Sequence, residues 1–185
     1  MHSAQRLLLL QIAAAIGLAG CGSSNQLDQA ARQQIETQIY TELAGPYCSS
    51  TGDILYPNTL PMPPAQEIDW QKMQAWLPAL ELATWESYLT NNAEVAPGHS
   101  LQGMLPDCEG RFLACDLRFC DTPDSGGQSV PSIIGFSRLG LNSGGTQALI
   151  YVVNDCQECG WGGFLLLERA NGIWQIVDEY RDWVS

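Results

Sequence analysis

Residues 132–183, SIIGFSRLGLNSGGTQALIYVVNDCQECGWGGFLLLERANGIWQIVDEYRDW, decide the fold class. They read as four strands, at 132–141, 146–154, 163–169 and 173–183, each rich in Ile, Val, Leu and aromatic residues. Asn142-Ser143-Gly144-Gly145 joins the first two, a Cys156-Gln157-Glu158-Cys159 loop the next two, and Asn171-Gly172 is the favoured tight turn before the last. Connections this short join antiparallel neighbours, so the expectation is an antiparallel four-stranded meander. In the second strand Ala148, Ile150 and Val152 share one face while Leu149, Tyr151 and Val153 share the other. Both sets are apolar, so that strand needs cover on both faces.

Upstream the period lengthens from two to nearly four. Ser24 is placed to cap a helix running to about Ala44, with Leu27, Ala31, Ile35, Ile39 and Leu43 on one stripe and Gly45-Pro46 as its stop. Pro57, Pro61, Pro63 and Pro64 make residues 49–66 an extended surface connection. Asp69 caps a second helical stretch carrying Trp70, Met73 and Trp76 and interrupted at Pro78, and a third, from about Thr84 to Asn91, presents Trp85, Tyr88 and Leu89. The fold expected is α+β: the meander of the C-terminal half packed with helices from the N-terminal half, in a single domain over residues 25–185.

Residues 1–20 have the character of an export signal. Arg6 precedes an apolar run from Leu7 to Ala19 broken only by Gln11, and a retained bilayer span needs about 20 apolar residues. The junction Leu18-Ala19-Gly20-Cys21 resembles the lipobox of bacterial lipoproteins. That resemblance implies cleavage before Cys21 and acylation of the cysteine with a diacylglyceride and palmitate, leaving residues 21–24 as a short tether of about 10–15 Å. Gly22, rather than Asp, follows the anchor. By the same resemblance this implies the periplasmic side of the outer membrane in a Gram-negative host, or otherwise the cell envelope at large.

Removal of the signal takes the formal charge from −12 to −13, because Arg6 leaves with it. Lys72 is the only lysine, so the clustered cations that nucleic acid demands are missing and no nucleic-acid partner is expected. An acidic surface is not drawn to anionic lipid either, which leaves the acyl chains on Cys21 as the contact with membrane lipid.

With Cys21 acylated, six cysteines remain: Cys48, Cys108, Cys115, Cys120, Cys156 and Cys159. An even number in an exported chain reads as three disulfides, with Cys156 leaning toward Cys159 and the other four open to three pairings. Zinc is the alternative, since Cys156 and Cys159 have C-x2-C spacing, but no imidazole lies near them in sequence, and no metal or cofactor is expected. Thioredoxin-like chemistry places its first cysteine at a helix start, whereas this motif sits between two strand-like runs.

Ser137, Arg138, Asn142, Thr146 and Gln147 crowd the first hairpin and form the candidate binding site. The competing reading is local: polar side chains bond turn backbone, and Arg138 pairs with one of the many acids. For nucleophilic catalysis the only bases after residue 20 are His99, beside Ser100, and Lys72; sequence adjacency is not a triad, and no catalytic residue is assigned. Trp161, Trp174 and Trp183 offer faces on which a glycan could stack.

The tail from Phe136 to Ser185 resembles a set of uncharacterised bacterial proteins with the pattern FSRxGxNxxxTQALxYVxxxCxxxCGxGxxxxLExxxGxWxxxxExxxWxS. It departs in having two residues between Cys156 and Cys159 where the family has three, and in its cysteines at 108, 115 and 120. The resemblance implies no activity. The expectation is a membrane-anchored envelope lipoprotein, a non-catalytic binding or accessory module for an envelope protein or glycan. The alternatives are an envelope hydrolase or thiol-dependent enzyme, and a glycan-binding lipoprotein.

Overall fold

The computed structural model describes residues 27–49, 53–60, 68–93, 98–112, 132–155 and 160–185. Its first helix, α1 (Gln29–Ser49), starts where Asp28 Oδ1 accepts from Ala31 N at 2.7 Å, a cap later than Ser24, which lies outside the described residues. α1 also continues past Gly45-Pro46. Pro46 has no N–H to give the carbonyl of Glu42, but Ser49 Oγ donates to Pro46 O at 3.0 Å and a disulfide from Cys48 to Cys108 pins the final turn. The inward face carries Ile35, Ile39, Tyr40 and Ala44, and among them the carboxylate of Glu36.

Two shorter helices follow the expected signals closely. α2 (Trp70–Trp76) is capped by Asp69, whose side chain accepts from Lys72 N at 2.9 Å, and it ends ahead of Pro78 with Met73 wholly buried. α3 (Leu82–Asn91) buries Trp85 and Tyr88 and leaves Leu89 exposed.

The sheet contains β1 (Asp53–Leu55), β2 (Ser132–Phe136), β3 (Gly140–Leu141), β4 (Gln147–Asp155), β5 (Trp161–Ala170) and β6 (Ile173–Val184). It is a mixed six-stranded sheet, not the four-stranded antiparallel meander expected from residues 132–183. The order is β1-β2-β4-β5-β6, with β3 also on β4, and β1 runs parallel to β2 through Asp53 with Ser132, Ile54 with Ile133 and Leu55 with Ile134. A parallel pair requires a long crossover, and the chain between β1 and β2 supplies one that contains α2 and α3. The proline-rich connection of residues 49–66 therefore contributes an edge strand, in keeping with Pro57 just beyond it.

The expected strand over 132–141 is broken. From Phe136 to Gly140 the chain advances four residues while its partner, from Val152 to Leu149, advances three, so one extra residue bulges out of the ladder. Ser137 holds the break: its N–H donates to Tyr151 O at 2.9 Å, and its Oγ accepts from Tyr151 N at 2.8 Å where a backbone carbonyl would otherwise serve. β3 then rejoins against α3, where Gly140 leaves no room for a Cβ between Thr84 O and the Tyr88 backbone.

Both faces of the sheet are covered. Ala148, Ile150, Val152, Leu165 and Leu167 pack with the buried face of α1, while Leu149, Tyr151, Phe164 and Leu166 pack with α2 and α3. The alternation read in β4 thus becomes three layers, helix on sheet on helices. Asn171 (φ 53°) and Gly172 (φ 84°) make the tight β5–β6 turn with both central residues at positive φ, which is the reason for an Asn-Gly pair there. No helix among the described residues is long and apolar enough to cross a membrane.

Candidate functional site

The bulge after β2 lifts Arg138 out of the ladder. Its backbone is clamped by Asn92 at the end of α3: Asn92 Oδ1 accepts from Arg138 N and Asn92 Nδ2 donates to Arg138 O, both at 2.9 Å. Below it, Tyr40 of α1 donates its hydroxyl to Ser137 O at 2.9 Å. Burial, and after it the charge of Glu36, hold the Tyr40 phenol well above its usual pKa of 10.0, so it serves as a donor. Main-chain bonds and packing thus fix the Arg138 backbone and leave its guanidinium free for other work.

Arg138 Nη2 lies 2.8 Å from His99 Nε2, and His99 Nδ1 faces Glu36 Oε2 at 3.3 Å. The second contact is within ion-pair distance but off hydrogen-bond alignment. His99 is fixed through its own backbone, since its N–H donates to Thr59 Oγ1 at 2.7 Å and its carbonyl accepts from Thr59 N at 2.8 Å. A guanidinium only donates, so Nε2 must accept and the ring proton belongs on Nδ1, toward the carboxylate. The order carboxylate, imidazole, guanidinium spends the lone pair that a general base would need. No nucleophile replaces it, because the group on Nε2 is Arg138.

This chain forms one wall of a cleft of about 830 Å³ between α1, α3 and the 98–104 segment, which Arg32, Gln33, Ser87, Thr90 and Asn91 also line. The volume falls in the usual range for small-molecule sites, but the lining is unusually polar for one. The Arg32 guanidinium has no hydrogen-bond or ion-pair partner among the described residues, and the Arg138 Nε–H has no acceptor there. Glu36 and His99 were not among the binding candidates read from sequence. The available signal for Glu36 was a carboxylate on the apolar stripe of a helix, between Ile35 and Ile39, where an acid demands a partner.

The other three candidates lie on the far side of β3 and form a different kind of cluster. Asn142 Oδ1 accepts from Thr146 N at 2.9 Å and Gln147 N at 3.2 Å, and its Nδ2 donates to the Glu81 carboxylate at 3.1 Å. Gln147 Oε1 accepts from Glu81 N at 2.7 Å and Thr84 Oγ1 at 2.9 Å, while its Nε2 donates to Ala79 O at 2.9 Å. These bonds join the start of α3 to the sheet. Ser137 and Arg138 thus gather with Asn92, His99 and Glu36, and Asn142, Thr146 and Gln147 gather with Glu81.

Of the cysteines, Cys48 and Cys108 are bonded, with Cα atoms 4.9 Å apart. Cys115, Cys120, Cys156 and Cys159 lie outside the described residues, as does the lipidation candidate Cys21. Among the described residues, no three His, Cys, Asp or Glu side chains are grouped to hold a metal ion. The tryptophans divide: Trp174 is buried, Trp161 carries the Arg181 guanidinium 4.6 Å over its ring, and Trp183 is 38 % exposed. Only Trp183 offers a sizeable open face for stacking, so the three do not form one platform. No family model matches the chain, and no curated protein or solved structure matches it.

Proposed function

We propose that this protein is a lipid-anchored envelope lipoprotein, held by acylated Cys21, whose domain binds a small polar ligand in the cleft between α1 and α3 without transforming it. The observation that carries the binding reading is the Glu36–His99–Arg138 chain. It places a charged, hydrogen-bonding wall in a cleft of ligand size while the imidazole's accepting nitrogen, Nε2, is already taken by Arg138, which favours recognition over acid–base chemistry. The anchoring reading is carried by Leu18-Ala19-Gly20-Cys21 and the short apolar run before it. Together they support the reading of a ligand-binding domain at an envelope membrane, with the outer-membrane side favoured by Gly22 in a Gram-negative host.

α1 connects the two halves of the proposal, since the cleft is lined by its first turns, at Gln29 and Arg32. Eight residue steps from Cys21 to Gln29 reach at most about 29 Å, so the cleft mouth stays near the bilayer surface. The test has two arms. Full-length protein made with labelled palmitate should partition with membranes and carry label, and Cys21→Ser should lose both; unlabelled protein released with the soluble fraction refutes the anchor. Ligand recovered unchanged after prolonged incubation with the purified chain supports binding, whereas multiple turnovers abolished by His99→Ala overturn the non-catalytic reading.

A further inference from the structure

Two of the chain's few cations converge on the cleft. Among the described residues Arg32 and Arg138 line it, and the single acid of that lining, Glu36, already faces His99. In a chain of formal charge −12 this leaves one cationic group in excess at a concave polar surface. The remaining contacts are mostly neutral groups that both donate and accept, among them Gln33, Ser87, Thr90 and Asn91. Neither a cation nor an apolar ligand suits that set: the first meets two guanidiniums, and the second strips water from amides and hydroxyls without replacing their bonds.

We infer that the cleft takes a hydroxylated monocarboxylate, of which a uronic acid is the simplest probe, its carboxylate held by Arg32 and Arg138 and its hydroxyls by the surrounding amide and hydroxyl side chains. A guanidinium matches a planar carboxylate with paired donors, and a single surplus charge suits a monoanion better than a phosphate dianion. His99 is a positioning residue in this arrangement. By accepting from Nη2 it fixes the rotation of the Arg138 fork, and Glu36 in turn orients His99. The inference rests on the cleft reading above and specifies its ligand.

The test is calorimetric titration of the full chain in detergent micelles with D-glucuronate, D-glucose and inorganic phosphate. Glucuronate should bind, with glucose and phosphate each weaker by roughly tenfold or more. Arg138→Met and Arg32→Met should each weaken glucuronate by roughly tenfold to a hundredfold, with circular dichroism matching that of the parent chain. Thr90→Trp fills the cleft from an exposed position and should abolish binding. If glucose binds as well as glucuronate, indifferent to both arginine variants but lost in Thr90→Trp, the carboxylate assignment falls and the cleft survives. Phosphate binding tighter than glucuronate also overturns the assignment. Binding by none of the three probes, or binding indifferent to Thr90→Trp, removes the assignment and the cleft reading together.

Discussion

The two polar clusters flanking β3 come from neighbouring residues of one hairpin, yet they are opposites in how they use their hydrogen-bonding capacity. Around Gln147 both ends of the side-chain amide are engaged, by Glu81 N, Thr84 Oγ1 and Ala79 O, and the product is a weld between α3 and the sheet. Around Arg138 the backbone is equally well held, by Asn92, but the guanidinium reaches only His99 among the described residues. Polar density in a sequence therefore does not distinguish a site from a joint. What distinguishes them is whether donors are left over once the fold has taken its share.

Removing the weld should have the largest effect. Gln147→Ala strands the Thr84 hydroxyl in a buried place and the Glu81 N–H and Ala79 carbonyl in part-buried ones, and a loss of roughly 3 to 4 kcal/mol in chemical denaturation is expected. A loss below about 1 kcal/mol would show that the bonds around Gln147 contribute no more than an exposed contact. Next comes the covalent tie at the last turn of α1, the helix that brings Glu36 to the other cluster: Cys48→Ser with Cys108→Ser should cost about 3 kcal/mol, because the bridge closes a loop across a sequence separation of 60. An unchanged midpoint for the double variant would refute that.

Alkali probes both sides of β3 through their phenols. Burial raises the pKa of Tyr40, under Ser137, and of Tyr88, beside Gly140, above the usual 10.0. Because the folded values exceed the unfolded ones, the stability tied to these protonated phenols is complete below about pH 10 and is lost as pH rises through the folded values. Ultraviolet absorbance should show these phenolates forming only as the chain unfolds; reversible titration of all six tyrosines near the ordinary value in the folded protein would contradict it. The smallest effect on stability should be that of Arg138→Met, within about 1 kcal/mol of the parent, since the backbone clamp stays and a buried N–H without an acceptor disappears. A loss as large as that of Gln147→Ala would erase the contrast between the clusters.

Much of the β4–β6 region was legible because its signals are local: alternation in Ala148–Val153 and the Asn171-Gly172 turn both survive in the fold. β1 was not, since a three-residue strand beside prolines owes its existence to pairing with Ser132–Ile134, far along the chain. The bulge was hidden for a different reason. Ile134, Phe136, Leu139 and Leu141 keep up an apolar run straight through it, and only the Ser137 hydroxyl substituting for a carbonyl reveals why the ladder breaks. Pro46 misled because a stop signal says what a residue withholds, not what a disulfide two residues later supplies. At the site, Arg138 was readable as a polar residue in a hairpin, but its partners lie at positions 36 and 99, and no local pattern joins them.

The Cys48–Cys108 bridge also has a mechanical consequence. Under the anchoring proposed at Cys21, tension on the lipid would enter the domain at the start of α1 and travel along a helix of 21 residues, about 30 Å long, to its last turn. There the covalent path forks, and the bridge offers a short route to Cys108 that bypasses β1, α2, α3 and the segment carrying His99. Those parts lie on the slack branch. A domain tethered this way could sway with its membrane while the residues facing the cleft from α3 and the His99 segment stay out of the line of force.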